Sequence, residues 1–351
     1  MKSKLALAIA IILFASSSQA VQLIKDDIND VQLTGLAYAG HTFGDSEKSA
    51  AYGSNAFFRL GTDAKSKVND DLTVVGKYEA QIKMNDSENE INSGNGSNVR
   101  TRHIYGGVQV KDIGTFTYGR QWGTLYSMVG GWTDVGYTDG YTGSALGLGV
   151  DRFSSIRGSD LLKYEGVFGK AKVGASYKFR TTRDTATTDN DNSAYAIGTT
   201  YEVIENLNLG AAYSEGNRIA SDNDAKMSLI GLKYDDKTWY LAFNYSNGSD
   251  FIADNVDHKG YETAIAYNFT SGWGLQATWE KQSVDTGTKT SDGYNSYTLG
   301  TIYRFTKNFY AAFDYRINNL SANAYSPVKA YSTGVAVDAA NDFQFGVKYT
   351  F

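Results

Sequence analysis

The chain has 351 residues with a formal net charge of −5; 42% of its side chains are hydrophobic, 20% charged and 14% aromatic. That much apolar and aromatic content excludes a disordered chain, and no apolar run is long enough to cross a bilayer as a helix. There is no Cys, and the three His (His41, His103, His258) are scattered, so neither a disulfide framework nor a metal site is expected.

Residues 1–20 read as a cleaved export signal. Lys2 and Lys4 give a positive end, Leu5 to Ala15 is an apolar run too short to span a bilayer, and Ser18 and Ala20 are the small residues a signal peptidase needs. Residues 21–351 are then one domain, and losing two Lys makes it more acidic still.

From there onward the apolar pattern has period two. Tyr195, Ile197, Thr199, Tyr201 and Val203 alternate with Ala196, Gly198, Thr200 and Glu202. Tyr261 to Phe269, Phe309 to Ile317 and Phe343 to Phe351 repeat the pattern, each with one apolar and one wetter face. The connectors sort into two kinds. Short turns such as Asn69-Asp70-Asp71, Glu205-Asn206 and Thr306-Lys307-Asn308 alternate with long polar stretches at 44–54, 84–98, 127–155, 182–192, 217–224, 247–258, 284–293 and 320–339. They separate sixteen expected strands, centred from Gly35 to Phe345.

Alternating segments joined by short turns on one side and long loops on the other are the signature of an outer-membrane barrel. Hydrocarbon offers the backbone no hydrogen bonds, so strands can cross it only as a closed sheet. The fold expected is all-β: a sixteen-stranded antiparallel transmembrane barrel with short periplasmic turns and long outer loops. A soluble sandwich would share the alternation but needs a second sheet to pack on. Tyr and Trp near strand ends, as in Tyr267-Asn268-Phe269, Trp273 and Tyr303-Arg304-Phe305, fit the headgroup level. Sixteen strands leave an aqueous channel where eight would be filled by side chains.

The stretch from Ser127 to Ser155 is too long for a structureless connector and too aromatic for water, with Trp132, Tyr137, Tyr141 and Phe153. From residues alone it either folds into the barrel, projecting Asp134 and Asp139 into the lumen, or packs outside on its neighbours. Arg59 and Asp63 lie opposite Phe58, Leu60 and Thr62, which places them on the lumen face. Arg102 has no such assignment, because neither face of 100–111 is cleanly apolar. Arg120 shares a face with Phe116, Tyr118 and Trp122; facing lipid it would cost about 2–4 kcal/mol at mid-depth, so protein cover at a subunit interface is expected.

Residues 115–134, TFTYGRQWGTLYSMVGGWTD, together with VQLTGLAYAGHTF (31–43), NAFFRLG (55–61), RGSDLLKYEG (157–166) and the ending in Phe351, resemble the general, non-specific porins of Gram-negative outer membranes, in order along essentially the whole mature chain. The resemblance implies a homotrimer whose third loop folds inward to narrow the pore. It also implies a basic cluster facing acids on that loop. Arg59, Arg102 with Arg100 beside it, and Arg157 match the basic cluster; Asp134 matches the first acid. Leu36 stands where the family usually has Lys, and Asp139 is the candidate for the second acid. Glu88 matches a latching loop and is paired in expectation with Arg120 of a neighbouring subunit. Phe351 with Tyr349 resembles the signal read by the outer-membrane assembly machinery.

The function expected is an outer-membrane diffusion porin for ions and small polar solutes, weakly cation-preferring given the acidic balance and Leu36. The other reading is a surface barrel whose outer loops bind a partner, as an adhesin or phage receptor does. Outer-membrane lipid and lipopolysaccharide are the expected surroundings. No nucleophile elbow, zincin or phosphate-loop motif occurs, so no enzyme and no cofactor are expected, and nothing points to nucleic acid.

Overall fold

The structure, a computed structural model, describes residues 20–44, 53–84, 98–138, 145–180, 193–218, 223–320 and 341–351. Seventeen strands form one antiparallel sheet. In chain order they are β1 (Val21–Lys25), β2 (Asn29–Gly44), β3 (Gly53–Lys67), β4 (Leu72–Lys83), β5 (Val99–Val110), β6 (Gly114–Trp122), β7 (Arg157–Phe168), β8 (Ala171–Lys178) and β9 (Ala194–Ile204). Then follow β10 (Leu207–Asn217), β11 (Asp224–Asp235), β12 (Trp239–Ser249), β13 (Asp257–Asn268), β14 (Trp273–Asp285), β15 (Thr290–Arg304), β16 (Phe309–Asn318) and β17 (Asp342–Thr350).

Each strand from β2 onward pairs with the next, and β17 returns to pair with β2, closing the ring. β1 lies along the same edge of β2 as β17, with Val21 opposite Leu33 and Thr350 opposite Leu36. β1 and β17 together thus cover one edge of β2, and the wall is a barrel of sixteen strands. Where they meet, Phe351 and Gly35 exchange two backbone hydrogen bonds of 2.9 Å. Gly35 is required here: a Cβ on it would lie 2.4 Å from the Phe351 ring, which is only 5% exposed.

Alternation sets the two faces. Leu209, Ile230, Leu241, Phe243, Ile265, Leu299 and Phe345 are exposed on the outer wall, while Ser214, Asn244, Glu262, Gln276 and Gln344 are buried on the inner one. An aromatic belt runs along the short-turn end: Trp239 meets Tyr267 at 4.7 Å between ring centroids, Tyr267 meets Phe269 at 4.6 Å, and Trp273 continues to Tyr303, Phe305 and Phe309. A second row, Tyr245, Tyr261 and Trp279, lies toward the other rim. The short turns are held by local acceptors. Asn69 Oδ1 takes the N–H groups of Asp71 and Leu72 at 3.0 and 2.9 Å, and Asp236 Oδ1 takes those of Thr238 and Trp239 at 2.9 and 2.7 Å.

All sixteen expected strand centres fall within strands, and the short and long connectors segregate to opposite ends. Two polar segments expected as loops, 247–258 and 284–293, are partly strand; only residues 250–256 and 286–289 connect. Polarity marks a segment as wet, not as irregular. Here Ser249 faces Asp257 and Asp285 faces Thr290 in the ladder, so the strands carry their pairing on past the apolar zone. β1, too short to show alternation, was not expected.

Candidate functional site: a loop and an arginine cluster inside the barrel

After Trp122 the chain turns into the barrel. The segment between β6 and β7, here called loop 3, begins with a short helix α1 (Thr124–Met128) and a single 3-10 turn at Gly130–Trp132. It lies against the inner wall from β8 round to β16. Leu125, Met128, Val129, Leu146 and Phe153 are almost fully buried there, each contributing about 1.5–3 kcal/mol relative to exposure. Glycines on the lumen face clear the space. Gly174 and Gly198 are opposite one another beneath Met128, and Gly210 and Gly231 are opposite one another beneath Val129 and Trp132. A Cβ at Gly210 would lie 2.5 Å from the Trp132 ring.

Wall side chains then bond the loop. Asn244 Nδ2 donates to the Val129 carbonyl at 3.1 Å and to Thr133 Oγ1 at 2.9 Å. Thr133 in turn donates to Glu262, whose other oxygen accepts the Leu146 N–H at 3.3 Å. Asp314 accepts both the N–H and the hydroxyl of Thr138, at 3.0 and 2.6 Å, and Gln282 donates to the Ala145 carbonyl at 2.9 Å. These contacts decide between the two placements left open by sequence: the third loop is inside.

The basic residues sit on the wall before the loop. Arg59 Nε donates to Gln81 Oε1 at 2.8 Å, and its guanidinium lies 4.6 Å from the Phe57 ring. Arg102 pairs with Glu79. A β-bulge explains why Arg102 resisted assignment: His103 faces Glu79 and Thr101 faces Ala80, so Arg102 is the extra residue. The parity of β5 switches there. Arg100 and Arg102 precede the switch and face inward, whereas Ile104 and Val108 follow it and are exposed on the outer wall. Arg157 is buried beside Trp122, 5.0 Å from its ring centroid, and Arg102 is 6.0 Å from the same ring.

Trp122 and Tyr126 link this cluster to the loop acid. Their rings stack at 4.4 Å, and the Tyr126 hydroxyl donates to Asp134 Oδ2 at 2.6 Å. Burial and the adjacent Asp134 carboxylate hold the Tyr126 phenol well above its ordinary range. Lys163 Nζ fixes the start of the loop, donating to the Trp122 carbonyl at 2.9 Å and to Ser127 Oγ at 3.0 Å. Arg59, Arg102, Arg157 and Asp134 are thus brought together around one aromatic stack, with Arg100 on the same face. Asp139 and Glu88 lie outside the described residues. Trp122, expected on the outer face beside Arg120, lines the lumen at the end of β6 instead; Tyr126, Glu79, Gln81 and the wall acids Glu262 and Asp314 were not singled out by sequence. The period-two pattern already put Glu262 opposite Tyr261 and Thr263, and that signal was available.

Arg120 has a partner within its own chain. Its Nη1 and Nη2 meet the two Asp151 oxygens at 2.6 and 2.9 Å, Nη1 also reaches Ser159 Oγ at 2.9 Å, and Nε donates to the Thr101 carbonyl at 3.1 Å. The cover that its lipid-side parity demanded comes at least in part from the end of loop 3.

A closed antiparallel barrel with an apolar outside, aromatic belts and a charged, loop-lined interior defines an outer-membrane channel protein. The sequence profile of the Gram-negative porin family matches residues 6–316, and the chain belongs to that family. It is 29% identical to the outer membrane porin protein OmpD of Citrobacter koseri, over 98% of this chain and all of that one. In structure it is similar to Salmonella typhi OmpF, solved in complex with daunomycin, with a TM-score of 0.80 and 22% identity over 93% of this chain and 99% of that one. It is also similar to the trimer form of Vibrio cholerae OmpT, with a TM-score of 0.69 and 21% identity over 93% of this chain and all of that one. The protein is an outer-membrane porin, and its relatives are channels rather than enzymes.

Proposed function

We propose that this porin is a general diffusion channel, passing ions and small polar solutes through a water-filled lumen that loop 3 narrows, with a weak preference for cations. The observation that carries the reading is the anchoring of loop 3 on the wall from β8 round to β16, away from the side where Arg59, Arg100, Arg102 and Arg157 gather. Solutes then pass between a basic wall and the acidic loop residues Asp134 and, in this reading, Asp139. Several bases are offset by carboxylates, Arg102 by Glu79 and Lys77 by Asp63 at 2.8 Å. Leu36 adds no charge, and the chain is acidic as a whole.

In this reading residues 1–20 are removed on export, and Tyr349 and Phe351 are read by the assembly machinery. Three copies then assemble in a bilayer of lipid and lipopolysaccharide, as the trimer form of Vibrio cholerae OmpT does at the level of subunit number. Glu88 of one subunit approaches Arg120 of the next. Recording from the purified protein in a planar bilayer tests the reading. Stepwise openings in KCl, grouped in threes, support it. Silence from correctly folded, bilayer-inserted protein favours the receptor reading, and a reversal potential showing anion preference overturns the selectivity.

A further inference from the structure

On the short-turn side of loop 3 the inner wall of β3–β8 has a recess of about 480 Å3. It is separate from the arginine cluster, since neither Arg59, Arg102 nor Arg157 lines it. The ladder explains the hollow. Tyr105, Gly107 and Gln109 share the lumen face of β5, and Gly107, between Val75 and Thr117 of the neighbouring strands, adds no side chain. Trp122 and Ser127 form a roof, which Lys163 fixes through its bonds to the Trp122 carbonyl and Ser127 Oγ.

The charges around the recess are largely neutralised in place. Both Asp63 oxygens accept from Lys77, at 2.8 and 3.0 Å, and Glu165 is paired with Lys163 at 2.9 Å and with Lys172 at 3.6 Å. A small ion finds little net field to hold it, and an anion also meets two carboxylates whose side chains are 41% and 31% exposed. The neutral groups are in the opposite condition. The Tyr105 hydroxyl, the Gln109 amide and Thr115 Oγ1 line the recess and have no hydrogen-bond partner among the described residues, and the Lys65 ammonium has no carboxylate partner among them. None of the four residues is buried, so a solute can reach them.

This lining offers donors and acceptors together, which a hydroxyl, able to give and to take, uses more fully than an ion does. Tyr105 adds a flat apolar surface. Among the described residues the only ring beside it is His103, at 6.4 Å and nearly perpendicular. A sugar ring has faces rich in C–H and a rim of hydroxyls, so it lies on the phenol ring while its rim reaches Gln109, Thr115 and Lys65. The volume is within the range of about 300–1,000 Å3 usual for small-molecule sites.

We propose that this recess is a binding subsite for small neutral sugars, so that they dwell on the short-turn side of loop 3 and do not merely pass. The proposal rests on the channel reading above, and the test separates the two. Maltose is titrated into KCl during single-channel recording of the wild-type protein. Current falls saturably, by more than the bulk conductivity of the same solutions falls. The half-effect concentration rises about fivefold or more in Gln109→Ala and in Tyr105→Ala, in line with losing at least one hydrogen bond. Gln109 is exposed, so its variant folds even where the tyrosine variant does not. Open-channel current in KCl alone reports the pore: if it is absent, the channel reading fails and the subsite with it. If it is present and maltose lowers it only as bulk conductivity falls, the subsite alone fails. The subsite also fails if Gln109→Ala and a folded Tyr105→Ala both keep the wild-type half-effect concentration. A polyethylene glycol of similar mass acting at the same concentration as maltose would show simple volume exclusion. Potassium glucuronate acting at a lower concentration than maltose would assign the recess to anions, and either result overturns the assignment to neutral sugars.

Discussion

Tyr126 shows how much of this interior turns on single atoms. Its ring is one half of the stack with Trp122, and its hydroxyl is the link from the basic wall to Asp134. A hydrogen bond to a charged acceptor is worth about 1.5–3 kcal/mol, and Tyr126→Phe keeps the stack while removing it. The phenol is raised above its ordinary value, so its contribution is complete below about pH 10 and declines as pH rises through the folded value. The thermal midpoint of Tyr126→Phe is therefore below wild type at neutral pH, and the gap closes in strong alkali. A gap that does not change with pH would show that the hydroxyl does not stabilise the fold through Asp134. Arg120 makes a second case. Its forked contact with Asp151 has both partners mostly shielded, with side chains 18% and 32% exposed, so Asp151→Asn loosens the end of loop 3 by about 1.5–3 kcal/mol. Arg120→Glu sets two carboxylates against one another and, in the trimeric reading, also meets Glu88. On unheated gels Arg120→Glu runs as monomer while Asp151→Asn stays trimeric. If both dissociate equally, the arginine acts on the trimer only through its own loop.

At the scale of elements, the strands were legible because lipid is an exacting solvent. Each outer-face position must be apolar, so Leu209, Ile230 and Ile265 announce their strands. Irregularities in the ladder were not legible. The bulge at Arg102 mixes two parities within β5, and that mixing was what the sequence displayed as an unclean alternation. The site was legible where the resemblance supplied a motif. Trp122 and Tyr126 escaped because their role comes from a stack formed only once the chain turns inward. The glycines beneath loop 3 were a missed signal. Gly174, Gly198, Gly210 and Gly231 recur on the lumen face of successive strands, where no turn requires them, and together they outline the trench that receives the loop. Gly210→Val drives a methyl group into Trp132 and costs about 1–3 kcal/mol of loop docking. The barrel ladder is not touched. The variant is expected to keep its folded, heat-modifiable gel mobility while its single-channel conductance changes. Wild-type conductance would mean that the loop repacks without moving.

For the molecule as a whole, the proposed cation preference raises the question of how a lumen with both signs of charge would select. Close pairs such as Lys77–Asp63 and Arg102–Glu79 cancel within a few ångströms and contribute little field at the pore axis. What an ion senses across the lumen is the sum of the residual charges, and the chain as a whole is acidic. That sum acts through water, so salt screens it. The Debye length falls from about 10 Å at 0.1 M to about 3 Å at 1 M, from the scale of the lumen to that of one contact. Reversal potentials measured at a fixed KCl ratio should thus favour potassium at low mean salt and shrink toward zero as the mean concentration approaches 1 M. The hydrogen bonds holding loop 3 are buried and screened far less, so conductance divided by bulk conductivity should settle to a constant over the upper part of the same range. A preference that persists undiminished at 1 M would locate selection in desolvated contact with a few groups, and the long-range field of the lumen would no longer account for it.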